Sequence, residues 1–136
     1  MRLWHVDLLE HLDRLRLLGQ HRECCALRGG GWGKPHSVVN YVFHHSPDYL
    51  YTYHLRVMRE MARRGYRVAP EWLRHTYRGK SSPEESGSRR FVGRYPEHDR
   101  RYYRECISLL LDKAAEADDV ELFRHYHRVG RAHARA

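Results

Sequence analysis

The sequence predicts an all-α fold, a compact single domain (1–136) of three main helices joined by long loops. Three observations carry that expectation. Apolar residues recur at helical spacing in three separated segments. No stretch alternates apolar and polar residues as a half-buried strand would. The length, with 41% hydrophobic residues, is enough for one buried core and too little for two.

The opening "MRLWHVDLL" reads as an extended or irregular arm packed by Leu3, Trp4 and Val6. Asp13 is placed to cap a first helix through "RLRLLGQHRECCAL", which Gly29–Gly31 stop. Leu15, Leu18, Cys25 and Leu27 supply its apolar side. The interior Gly19, costing about 1 kcal/mol against alanine, is read as room for another backbone to approach. "GGGWGKPHS" is a basic loop. Ser46-Pro47 starts the second helix, a capping hydroxyl followed by a proline whose missing N–H is not needed in a first turn. That helix runs through "DYLYTYHLRVMREMARR", burying Leu50, Tyr53, Val57 and Met61, and Gly65 ends it. "YRVAPEWL" is a linker and "RGKSSPEESGSRR" the most loop-like segment. A third helix follows Pro96 through "EHDRRYYRECISLLLDKAAE", packing Tyr103, Ile107, Leu110 and Leu111. The tail "DDVELFRHYHRVGRAHARA" is read as a short fourth helix before a basic, alanine-rich end.

Charge points to a partner. Lys and Arg number 25 against 17 Asp and Glu, a formal +8, and nearly all the cations are arginine. Arginine grips phosphate oxygens with a planar fork and stacks on flat rings. Ten tyrosines and three tryptophans are interleaved with those arginines, the composition a nucleic-acid surface needs. Asp7, Glu10 and Asp13 interrupt any signal-like apolar core, and no run is long enough to span a membrane. Cys24, Cys25 and Cys106 are too few for a disulfide framework. The expectation is a cytoplasmic monomer with reduced thiols and no membrane partner.

Three chemistries compete for "QHRECC" (20–25). Among the twelve histidines, His44-His45 and the pair His125 and His127 point apart on a helix. His21 lies three and four residues before Cys24 and Cys25, a two-ligand start that no second pair completes. No metal is expected. A cysteine nucleophile needs a lowered pKa, whereas Cys24 and Cys25 lie inside a helix and read as small buried hydrophobes. Arg22-Glu23 remains. A neighbouring arginine keeps a carboxylate ionised, yet exposed charged pairs on helices are common and contribute little. Residue chemistry alone favours that bland reading.

Order and spacing add to it. "MRLW" with "HLDR" (11–14), Arg22-Glu23, the Ser-Pro step of "SPDYLYTYHLRVMREMARRGYRV", "FVGRYPEHD" (91–99) and the looser "HYHRVGRA" follow one another as they do in a known family. The chain resembles the pyrimidine dimer DNA glycosylase/AP lyase family, the phage endonuclease V type and its bacterial relatives. The resemblance leaves out residues 24–45 and 76–90. It implies an endonuclease V-like three-helix domain that acts on double-stranded DNA without metal or organic cofactor. In that family an N-terminal α-amine attacks C1′ of the damaged nucleotide and forms an imine, and the glutamate of the Arg-Glu pair stabilises the cationic intermediate. By position, Glu23 is then the catalytic carboxylate, and Met1 or Arg2 supplies the amine. The phage members carry a small second residue, where Arg2 stands here. Arg22 would bind phosphate, Arg16 falls at a basic DNA-facing position, Lys113 matches a family lysine and His21 faces DNA. Arg28 and Lys34 are phosphate contacts by composition alone. A non-catalytic arginine-rich nucleic-acid-binding module is the alternative, and a helical protein for an acidic partner the third reading.

Overall fold

The computed structural model of the chain describes residues 2–30, 39–84 and 90–135. An extended arm leads into a 3-10 turn, Val6–His11. Four α-helices follow: α1 Arg14–Arg28, α2 Pro47–Arg63, α3 Arg100–Glu116 and α4 Val120–Arg135. Short 3-10 turns at Asn40–His44 and Pro70–Leu73 flank α2. The first two α-helices pack on each other, as do the last two, and the Val6–His11 turn lies against α2. Among the described residues there is no strand, and no helix is long and apolar enough to cross a membrane.

Local chemistry explains most of these boundaries. The Ser46 hydroxyl accepts from the Asp48 N–H at 3.2 Å, with Pro47 at the first helical position. Gly65 follows α2 with φ +82°, a backbone that side chains rarely adopt. α3 begins three residues later than Glu97, because Asp99, not Pro96, starts it: its carboxylate accepts from the Tyr102 N–H at 2.9 Å.

Four expectations are corrected. Asp13 precedes α1 without capping it, since its carboxylate accepts from the Tyr126 hydroxyl and from Arg16 (3.2 Å), while its own N–H donates to Tyr126 at 2.9 Å. That same Tyr126, fully buried, anchors a tail helix of 16 residues where a short one was expected. Leu15 is 73% exposed: the inward stripe of α1 is Leu17, Gln20, Cys24 and Leu27, so Cys24 is buried and Cys25 only partly so. At Gly19 an added Cβ would meet only the tip of Arg22, at 3.7 Å, so no backbone approaches there. At Gly130 a Cβ would come within 3.0 Å of Ile107, and it is here that two helices draw close.

The core joins Leu3, Leu8 and Leu12 of the arm and turn to Leu17, Val57, Cys106 and Leu110 of the helices. Histidines are part of it. His98 Nδ1 accepts from the Val6 N–H at 3.1 Å, which leaves its proton on Nε2, 2.8 Å from the Tyr41 hydroxyl. Burial pushes His98 down to about 3, and it lowers His5 and His54 as well. In the unfolded chain these imidazoles take up protons near pH ~6.5, whereas in the folded protein His98 stays neutral until about 3. Stability is therefore complete above the unfolded value and declines as pH falls through this window, by up to about 1.4 kcal/mol per pH unit for each such histidine. Urea midpoints measured across that range should fall steadily, and a flat profile would contradict the neutral buried imidazoles.

Candidate active site

Glu23 sits half-buried on α1, three residues after Gln20 and so on the same side of the helix. Gln20 uses its whole hydrogen-bonding capacity. Its Oε1 accepts from the Trp4 N–H (2.7 Å) and lies 2.8 Å from the Tyr53 hydroxyl. Its Nε2 donates to the Arg2 carbonyl (2.9 Å) and to Glu23 Oε2 (3.1 Å). One side-chain amide thus pairs with the peptide groups flanking Leu3, as a neighbouring parallel strand would. Other groups of the arm are met the same way. Tyr102 donates to the Leu3 carbonyl at 2.5 Å and Tyr53 reaches the Trp4 carbonyl at 2.7 Å. The Arg2 N–H donates to Glu23 Oε2 at 3.2 Å.

This brings the backbone nitrogen of the second residue onto the predicted carboxylate. Burial raises the Glu23 pKa, opposed by the Arg2 N–H and Gln20. The Arg2 guanidinium turns to α3, within 3.4 Å of both the Tyr102 hydroxyl and Glu105. Arg22 and Lys113 are exposed, and Arg16 is held by Asp13. Met1 and Lys34 lie outside the described residues. Gln20 was missed by the sequence reading, although a signal existed: a polar residue on the Leu17–Cys24–Leu27 stripe must be buried, and a buried amide must find partners.

His21 and Arg28, both expected to face DNA, are turned inward. Arg28 is nearly buried and donates to the carbonyls of Trp72 (2.7 Å), Arg74 (2.7 Å) and Tyr77 (3.0 Å), with its guanidinium over the Trp72 ring. It also lies 3.1 Å from His54 Nδ1. His21 Nδ1 is 2.8 Å from His54 Nε2, and one ligating atom each from His21, Cys25 and His54 fall within 4.8 Å of one another. The missing third ligand of the sequence reading is thus His54, on another helix. Proton placement speaks against a cation. A guanidinium can only donate, so His54 Nδ1 accepts, its proton sits on Nε2, and that atom donates to His21 Nδ1. His21 in turn carries its proton on Nε2, 3.8 Å from Cys25 Sγ. The lone pair an ion would need on His54 Nε2 is already protonated. Burial pushes the Cys25 thiol up to about 11, which fits the sulfur at the end of this chain of donors and not a nucleophile.

Residues 1–74 match the family model described as pyrimidine dimer DNA glycosylase. The matched span carries the arm, α1 and α2, and with them Gln20, Glu23 and Tyr53. No curated protein and no solved structure matches the chain.

Two substitutions separate scaffold from surface. Gln20→Leu strands the Trp4 N–H and Arg2 carbonyl and should cost about 2–4 kcal/mol in chemical denaturation. Arg28→Met should cost about 3 kcal/mol or more, since carbonyls held by a charged donor lose it. Its DNA affinity, measured where the variant is folded, should keep the wild-type salt dependence; a shallower slope would return Arg28 to the DNA surface.

Proposed function

The chain belongs to the pyrimidine dimer DNA glycosylase family, and on that premise we propose that it removes damaged pyrimidines from duplex DNA and cleaves the resulting site through its leading α-amine and Glu23. The observation that carries this reading is the Arg2 N–H on Glu23 Oε2 at 3.2 Å. Where Met1 has been removed, that nitrogen is the α-amine itself. Where Met1 is kept, the amine lies one residue further out, up to about 3.6 Å of chain.

The amine lone pair attacks C1′ of the damaged nucleotide, and the C1′–N bond breaks with its electron pair leaving on the base. One amine proton passes to the departing base, and opening of the sugar ring at O4′ takes the other onto that oxygen, giving the imine. Removal of a C2′ proton then expels the 3′ phosphate, and water frees the amine. An α-amine suits the first step because its pKa near 7.7–8.0 leaves a useful fraction unprotonated at about neutral pH. Glu23 suits the others: its charge stabilises the cation at C1′, and burial raises its pKa toward the range where a carboxylate both takes and returns a proton. Exposed Arg22 and Lys113 supply phosphate contacts while a nucleotide is turned out of the duplex.

Borohydride treatment with abasic duplex should give a covalent adduct on the first residue of the chain, and the adduct's intact mass tells whether that residue is Met1 or Arg2. No adduct, with duplex binding retained, would replace this reading by a non-catalytic DNA-binding module. Glu23→Gln should abolish cleavage and leave duplex affinity within about threefold. It should also melt at or above the wild-type temperature at neutral pH, because a carboxylate with a raised folded pKa weakens the fold once pH exceeds its unfolded value. That difference should vanish as pH falls below the carboxylate range.

A further inference from the structure

α3 separates two surfaces. Tyr102 and Glu105 reach Arg2, and through it the Glu23 site. At about 100° per residue, Arg100, Arg104, Ile107 and Leu111 fall on the opposite side of the helix. There, with α4, they line a cleft of about 540 Å³. Ile107, Leu111 and Gly130 form an apolar floor, and Gly130 is the contact at which α4 comes close to Ile107. The rim is cationic: Arg100, Arg104 and Arg131, with His127, and among the described residues no carboxylate lines the cleft.

These arginines differ from others in the protein. Arg2, Arg16, Arg63, Arg74 and Arg94 each close on a carboxylate, whereas Arg100, Arg104 and Arg131, like exposed Arg22, Arg101 and Arg128, have no hydrogen-bond or ion-pair partner among the described residues, and only these three gather on one cleft. One ring at the cleft is already held flat, His133 stacking on Tyr103 at 3.5 Å and 12°, while exposed His127 runs nearly parallel (9°) to Phe123 with centroids 6.4 Å apart. Three unpaired guanidiniums call for an anion with several acceptor oxygens, and an apolar floor beside an oriented ring calls for flat apolar groups. Both needs are met by one chain only if its bases are unstacked and unpaired.

We infer that the α3–α4 cleft is a second nucleic-acid surface, one that binds single strands with bases on the floor and phosphates on Arg100, Arg104 and Arg131. The inference goes beyond the glycosylase reading and does not depend on it.

The test is fluorescence anisotropy with a labelled oligothymidylate of about eight nucleotides, at two salt concentrations. Wild-type protein should bind and weaken with salt. The exposed pair Arg104→Glu/Arg131→Glu should lose about tenfold or more in affinity. Its milder counterpart, Arg104→Gln/Arg131→Gln, should flatten the salt slope by roughly 1.4, two phosphates at 0.7 each. Melting curves matching wild type show that either variant is folded. Glu23→Gln should bind the oligonucleotide as wild type does, and the double variants should still give the borohydride adduct if wild type gives one. Unchanged oligonucleotide affinity in both double variants would overturn the assignment. Displacement of the oligonucleotide by a polyglutamate peptide at equal or lower concentration would overturn it in favour of an acidic protein partner.

Discussion

A single buried amide, Gln20, fixes the geometry on which the rest of the Glu23 site depends. Extended backbone at the edge of a helical domain has no ladder to join, so its N–H and C=O groups must find side chains or water. Here the N–H groups of residues 2, 4 and 6 go to Glu23, Gln20 and His98, and the carbonyls of residues 2, 3 and 4 to Gln20, Tyr102 and Tyr53. The partners come from α1, α2, α3 and the segment just before α3. Leu3 and Trp4 meanwhile bury their side chains in the core, so the arm is held by packing and polar contacts together. A carboxylate placed beside such an extended segment meets a backbone nitrogen whose position is already set.

The arginines fall into two populations that composition cannot distinguish. Arg28 spends its guanidinium on three carbonyls, ordering the chain from Trp72 to Tyr77 against the end of α1. Its orientation also dictates the tautomers of two histidines, and so turns an apparent ligand set into a line of donors. Arg100, Arg104 and Arg131 instead stand at the surface without acceptors among the described residues. A net charge of +8 is therefore a poor guide to which cations meet a partner.

Helical segments and their starts at Ser46 and near Asp13 were legible in the sequence because each rests on local chemistry, whereas Glu23 stood out only through the family resemblance. What was not legible depends on residues far apart. Leu15 looked like core because it lies three residues before Leu18, yet Leu17 and Leu27 set the phase of the stripe. The tail helix looked short because its stability comes from Tyr126 closing on Asp13, 113 residues away. His54 could not be joined to His21 and Cys25 by spacing, since it lies on another helix, and Arg28 read as a phosphate ligand because nothing local announces three carbonyls. Gln20 was the nearest miss: helical phase alone places it on the buried stripe.

The contacts that hold the arm have an order in time. Residues 2–6 come before these partners in the chain, and the side chains that meet their backbone lie 16 to 99 residues further along. The Trp4 N–H can meet Gln20 early, but Tyr53, His98 and Tyr102 arrive only as α2 and then α3 emerge. A chain truncated before His98 would therefore lack the partners of the Val6 N–H and the Leu3 carbonyl.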